Sequence, residues 1–153
     1  MTLVANTPFD AIGGAEVLLA LASAWHRRCL ADPMLSHAFH RGVHPLHAER
    51  LAAYWAEQLG GPKADEGMTG SYAEVIRQHS GNGPHPQMDG RAVAAFVAAL
   101  DEIGVAPASE LGLNLIAWFT WATALLNHGW ADPSSVPDDL TLPIWGFDGT
   151  EGW

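Results

Sequence analysis

Eight histidines and a single cysteine make imidazole the plentiful reactive group of this 153-residue chain, and imidazole both ligates metals and moves protons near neutral pH. The histidines are His26, His37, His40, His44, His47, His79, His85 and His128. A catalytic zinc helix needs two of them four residues apart with a carboxylate between. His40 and His44 instead straddle Gly42, and His44 with His47 offers neither the spacing nor the acid. No Gly-x-Ser-x-Gly elbow accompanies them, which argues against serine-triad chemistry. Gly81-Asn82-Gly83 is too short and follows no strand, so phosphate cradling has no support.

Two histidines gain meaning from the elements that carry them. A helix opening near Pro45 puts positions 47, 51, 54, 55 and 58 on one face, so His47 sits over Leu51, Tyr54 and Trp55, with Arg50 at the edge of the stripe. Taken alone, His47 reads as a solvent-facing first-turn residue. His26 lies beside Trp25 and one turn beyond Ala22, on or near the core stripe of a helix spanning 15–31, and a buried imidazole needs a partner. A core histidine satisfied by a backbone carbonyl is the plain reading.

The rest of the chain reads as helical. Asp32-Pro33 stops the 15–31 helix, and Gly60-Gly61-Pro62 ends the one from Pro45. Residues 63–70 read as loop, 72–79 as a short helix and 80–86 as a second loop. Asp89 is expected to cap a helix bearing Ala92, Phe96, Ala99, Leu100 and Ile103, which Gly104 stops. Ser109 is expected to cap a last helix running to Asn127. Beyond Gly129 the prolines, glycines and Trp130, Trp145 and Trp153 cannot sustain a helix. Trp145, Ile144 and Phe147 should fold back onto the domain or enter a dimer contact.

Composition bounds the function. Hydrophobic residues at 48% indicate a packed globule rather than disorder. A net charge of -10 repels phosphate backbones and anionic membranes. The apolar stretch 111–126 carries Asn114, Thr120 and Thr123 and is shorter than the ~20 residues of a membrane span. Neither nucleic acid nor a membrane is expected as a partner. Cys29 stands alone and residues 1–6 lack a signal-peptide pattern, which points to the cytoplasm.

Phe9-Asp10-Ala11-Ile12-Gly13-Gly14, the helix to Asp32-Pro33-Met34-Leu35, Phe39, and the helix closing on Leu59-Gly60-Gly61-Pro62 resemble the truncated haemoglobins, nearest their second group. The likeness continues through Val75-Ile76-Arg77-Gln78-His79 and Asp101-Glu102-Ile103-Gly104 to Leu125-Leu126-Asn127. It implies an all-α truncated globin fold, a two-over-two helical sandwich, over residues 1–128, with 129–153 as an irregular extension of the same domain. It implies haem b as cofactor and His79 as the axial iron ligand. His85, flanked by prolines, is the rival for that role. His26 and His47 match distal positions, and Phe39 matches the residue packed on the porphyrin. Arg50, Leu51, Tyr54, Arg77, Ala92 and Phe96 complete the implied cofactor contacts, the two arginines as candidates for the propionates.

Two departures alter the implied pocket. Histidine stands at 26 where many members carry tyrosine, and Ala92 stands where second-group members carry tryptophan. The expected function is binding of dioxygen, nitric oxide or carbon monoxide, and with it oxygen transport, by a monomer or homodimer served by a reductase. A haem enzyme with peroxidase or nitric oxide dioxygenase activity is one alternative. A haem-free, globin-like interaction module is the other.

Overall fold

The computed structural model describes residues 6–39, 42, 44–81 and 85–150. His40, Asn82, Gly83, Pro84, Trp153 and the first five residues, which entered the sequence argument, lie outside the described residues. The α-helices are α1 (Pro8–Ile12), α2 (Ala15–Ala31), α3 (Pro33–Ser36), α4 (His47–Gln58), α5 (Glu66–Thr69), α6 (Tyr72–His79), α7 (Pro86–Glu102) and α8 (Glu110–His128). Single 3₁₀ turns follow at His37–Phe39 and Pro133–Ser135. Among the described residues there is no β-strand.

Local chemistry explains most of the boundaries. Thr7 accepts from the Asp10 amide at 3.1 Å and starts α1. Asp32 accepts from the Met34 and Leu35 amides at 2.8 and 3.2 Å, so one residue ends α2 and caps α3. Ser109 caps α8 through the Gly112 amide at 3.0 Å. Two expectations are corrected. Residues 63–70 contain the one-turn helix α5. Asp89 lies inside α7, whose N-cap is His85 because Pro86 at the first position needs no amide partner.

Helix α2 packs most extensively on α4 and also crosses α7, and α7 in turn packs on α8. The result is two helices over two. Their shared core is aromatic. Phe96 and Phe119 stack at 4.3 Å, and Trp55 meets Trp118 edge-on at 5.5 Å. The Trp118 indole donates to buried Gln58 Oε1 at 3.2 Å, and Trp25 donates to the Ala92 carbonyl at 3.0 Å, which meets the polar demand of a low-dielectric interior. Gly60, at φ +91°, lies where a Cβ would come within 2.8 Å of Thr7 Cγ2, and one on Gly61 would meet the Phe9 ring at 2.7 Å. The glycine pair therefore lets α1 close on the end of α4, where the Phe9 amide bonds the Leu59 carbonyl at 3.1 Å.

The tail folds back as one of the two expected arrangements. Trp145 donates its amide to the Gln58 carbonyl at 2.7 Å and its indole to Asn114 at 3.2 Å, while Ile144 and Phe147 stay exposed. No described helix is long and apolar enough to cross a membrane.

Candidate haem site

Helix α2 carries His26 one position past Trp25, about 100° further round the helix and away from the aromatic core. Its ring lies 4.5 Å from that of His47, the first residue of α4, and 5.3 Å edge-on from Phe39. Phe39 and His47 close the triangle at 5.4 Å. Three of the residues singled out in the sequence, from three separate elements, thus form one cluster.

The cluster is uncharged at neutral pH. Burial lowers the pKa of His26. Burial, reinforced by the nearby His26, Arg50, His44 and His79, pushes His47 down from 6.5 to about 4. Neutral imidazole carries one N–H and one lone pair. Among the described residues His26 Nδ1 is buried without a hydrogen-bond partner, so the expectation of a core histidine satisfied by a backbone carbonyl is not met at that atom. A buried polar atom left unpaired costs about 1–3 kcal/mol, a cost that an incoming ligand group could relieve.

His79 ends α6, the helix that starts at Ser71, whose hydroxyl accepts from the Glu74 amide at 3.2 Å. Its Nδ1 lies 2.7 Å from the Val75 carbonyl oxygen. A carbonyl can only accept, so Nδ1 carries the proton and Nε2 the lone pair, the arrangement that makes imidazole a directed metal ligand. Tyr72 lies on nearly the same face of α6 as His79, seven residues before it. It stacks on Tyr54 of α4 at 6.4 Å and 21°. Burial raises the pKa of both phenols, to about 12 for Tyr72. The sequence reading did not single out Tyr72, although its spacing from His79 was there to be used.

The remaining candidates scatter. Arg50 and Leu51 follow His47 along α4, with Leu51 partly buried against the core. Phe96 is fully buried among Trp55, Trp118 and Phe119. The Ala92 carbonyl is held by Trp25. Arg77 donates to the Val136 carbonyl at 2.9 Å and pairs with Asp138, so its guanidinium is committed to the tail. His85 and His128 both meet Asp89, at 2.8 and 2.7 Å, and Asn127 donates to the same carboxylate at 2.9 Å. The only sequence signal for that group was the four-residue step from His85 to Asp89.

This two-over-two helical sandwich is the architecture expected of a truncated globin. The chain belongs to the bacterial-like globin family, whose sequence model matches residues 7–120. Sequence comparison with curated proteins gives no match. Among solved structures, the group II truncated haemoglobin of Bacillus anthracis superposes with a TM-score of 0.69 at 19% identity, over 81% of this chain and 92% of that one. The haemoglobin of Chloroflexus aurantiacus gives 0.66 at 22% identity, over 80% and 98%. The truncated oxygen-avid haemoglobin of Bacillus subtilis gives 0.65 at 19%, over 79% and 98%. Identities this low speak for the fold, which is the truncated globin fold. Haem is the cofactor that globin membership implies, and the residues present fit it. His79, its Nδ1 held by the Val75 carbonyl, offers an oriented nitrogen that could hold such a group, and His26 keeps a buried Nδ1 without a hydrogen-bond partner among the described residues.

Proposed function

We propose that this globin binds haem b through His79 Nε2 and takes a diatomic ligand, dioxygen, nitric oxide or carbon monoxide, on the side of His26 and His47. The observation that carries this reading is the 2.7 Å hold of Val75 on His79 Nδ1. When bound, haem iron supplies one open coordination position for the diatomic ligand. The residues do the rest. His79 anchors the cofactor, and Phe39 and Leu51 offer it apolar contact. His26 and His47, both neutral at pH 7, each offer an N–H to the ligand without bringing a charge into the pocket. Ferrous iron requires an external reductase.

Absorption spectroscopy of the purified full chain tests the reading, with a Soret band expected. His79→Ala should abolish tight haem retention, and full retention with an unchanged axial signature overturns the assignment. His26→Leu and His47→Leu should separate the distal roles. Loss of a hydrogen bond worth about 0.5–1.5 kcal/mol should speed ligand release by up to roughly tenfold in at least one of them.

One observation favours an enzymatic reading as well. The lone pair of a neutral histidine in this pocket can take a proton from peroxide, the role of a general base. Peroxide turnover with a generic electron donor, lost in His26→Leu or His47→Leu, would support it.

A further inference from the structure

We infer that Val136 and Arg77 are positioning residues for His79: the C-terminal tail is a strap that sets how α6 presents its imidazole. The inference rests on the haem reading above. Three contacts in succession run along α6. Val136, 4% exposed, packs with Ala73 and Ile76 in a small cluster of its own, rimmed by Tyr72, Leu126, Trp130 and Leu140. Arg77 then reaches over to the Val136 carbonyl at 2.9 Å and to Asp138. Just past the helix, Gly81 has φ +80°, and a Cβ there would meet Pro133 Cδ at 3.1 Å.

The helical period sets how the strap meets α6. Arg77 and His79 lie about 200° apart on α6, whereas Tyr72 and His79 lie within about 20°. The strap therefore grips α6 at its back through Arg77 and along its flank through Ala73 and Ile76, about 120° and 60° from His79, and reaches Tyr72, which meets α4 through Tyr54. A helix of two turns, Tyr72–His79, has little stability of its own, so what covers its back decides where its last residue points. Ser80 closes the end by donating to the Ile76 carbonyl at 2.7 Å. The strap begins beyond residue 120, where the family model ends. It lies outside the segment that the family model matches.

Magnitudes rank the three partners. The Asp138 side chain is 94% exposed, and exposed ion pairs contribute little. Val136 and the Arg77 bond to its carbonyl should carry the effect. The test uses the full-length ferrous haem protein and two readouts, the iron–histidine stretching band in resonance Raman and the rate of haem transfer to an excess of apomyoglobin. Val136→Ala and Arg77→Gln should shift or broaden the band and speed transfer about tenfold. Arg77→Lys should restore part of the effect, and Asp138→Asn should change neither readout. Glu102→Gln, which breaks the surface pairs with Arg27 and Arg28 away from the tail, controls for general destabilisation.

If Val136→Ala and Arg77→Gln lower the melting temperature yet keep the wild-type band and transfer rate, the tail is only cover and the inference falls. Absence of a Soret band from the wild-type protein overturns the haem reading with it. That outcome is told apart from failure of the strap alone, where the wild-type band is present and the variants match it.

Discussion

Trp25 and His26 are neighbours on α2, as Tyr54 and Trp55 are on α4, and each pair sends one ring into each of two regions. Trp25 and Trp55 meet at 5.8 Å inside the aromatic core. His26 joins His47 and Phe39, and Tyr54 stacks on Tyr72. In the core the indoles of Trp25 and Trp118 both find acceptors. In the histidine cluster a ring nitrogen of His26 is left without one. Close packing with satisfied polar atoms serves stability, and an unsatisfied, desolvated group within a cluster of titratable side chains makes a candidate ligand site. One helical face thus builds the core and the adjacent one carries the candidate site.

The largest expected effect breaks the core alone. Phe96→Ala removes a fully buried ring from between Trp55, Trp118 and Phe119, and should cost about 3–5 kcal/mol in denaturant unfolding. His47→Leu should cost much less, because it replaces a desolvated imidazole with an apolar side chain. Equal losses in the two variants would erase the distinction between the regions. Next comes Gly112→Ala. A Cβ at Gly112 would meet the Ala106 carbonyl oxygen at 2.2 Å and that of Pro107 at 2.8 Å, both backbone atoms. Overpacking of this kind should cost about 1–3 kcal/mol, read as a lower denaturation midpoint.

Most of the helical frame was legible because its signals are local. The Asp32-Pro33 boundary, the Ser109 cap and the 72–79 helix each follow from residues within one turn. Helix α5 was missed because Glu66-Gly67-Met68-Thr69 carries a glycine and no apolar period. Spacing at 3.6 residues put Phe96 on a core stripe, but it grouped Trp55 with His47 and Tyr54, whereas Trp55 packs in the aromatic core with Phe96 and Trp118. The site was legible only in part. Periodicity placed His47 over Tyr54, but nothing local brings Phe39, His26 and His47 together from three elements. The commitment of Arg77 to Val136, 59 residues away, has no sequence signal at all. Contacts at that separation depend on where the irregular tail runs, and tails without periodicity do not announce their partners.

Acid should sharpen the comparison further. The pKa of His47 falls from 6.5 to about 4 on folding, chiefly through burial and then through His26, Arg50, His44 and His79. Above pH 6.5 neither the folded nor the unfolded form binds the proton, and the full contribution to stability is present. Between 6.5 and about 4 the unfolded chain takes up a proton that the folded one refuses, so stability falls as pH falls. Below that window the group adds no further slope. Because the site is only partly desolvated, the loss should be on the order of 1 kcal/mol. Denaturation midpoints measured across the window should decline in the wild type and decline less in His47→Leu, whereas parallel declines would assign the acid sensitivity to other groups.

The smallest effect has the opposite sign. Gly90 lies in α7 between Asp89, which holds His85 and His128, and Arg91, which bonds Asp32 at 3.1 Å. A Cβ there would meet nothing within 4 Å, and its φ is not positive. Gly90→Ala therefore asks nothing of its neighbours while reducing the freedom of the unfolded chain, and should stabilise by about 0.4–1 kcal/mol. The same substitution at Gly112 is expected to destabilise, so the pair isolates packing from propensity in two helices of one sandwich. A rise in melting temperature for Gly90→Ala with an unchanged Soret maximum would show that this end of α7 tolerates tightening without disturbing the histidine cluster. A fall would mean that space around residue 90 is needed for a motion that close packing at residue 112 never permits.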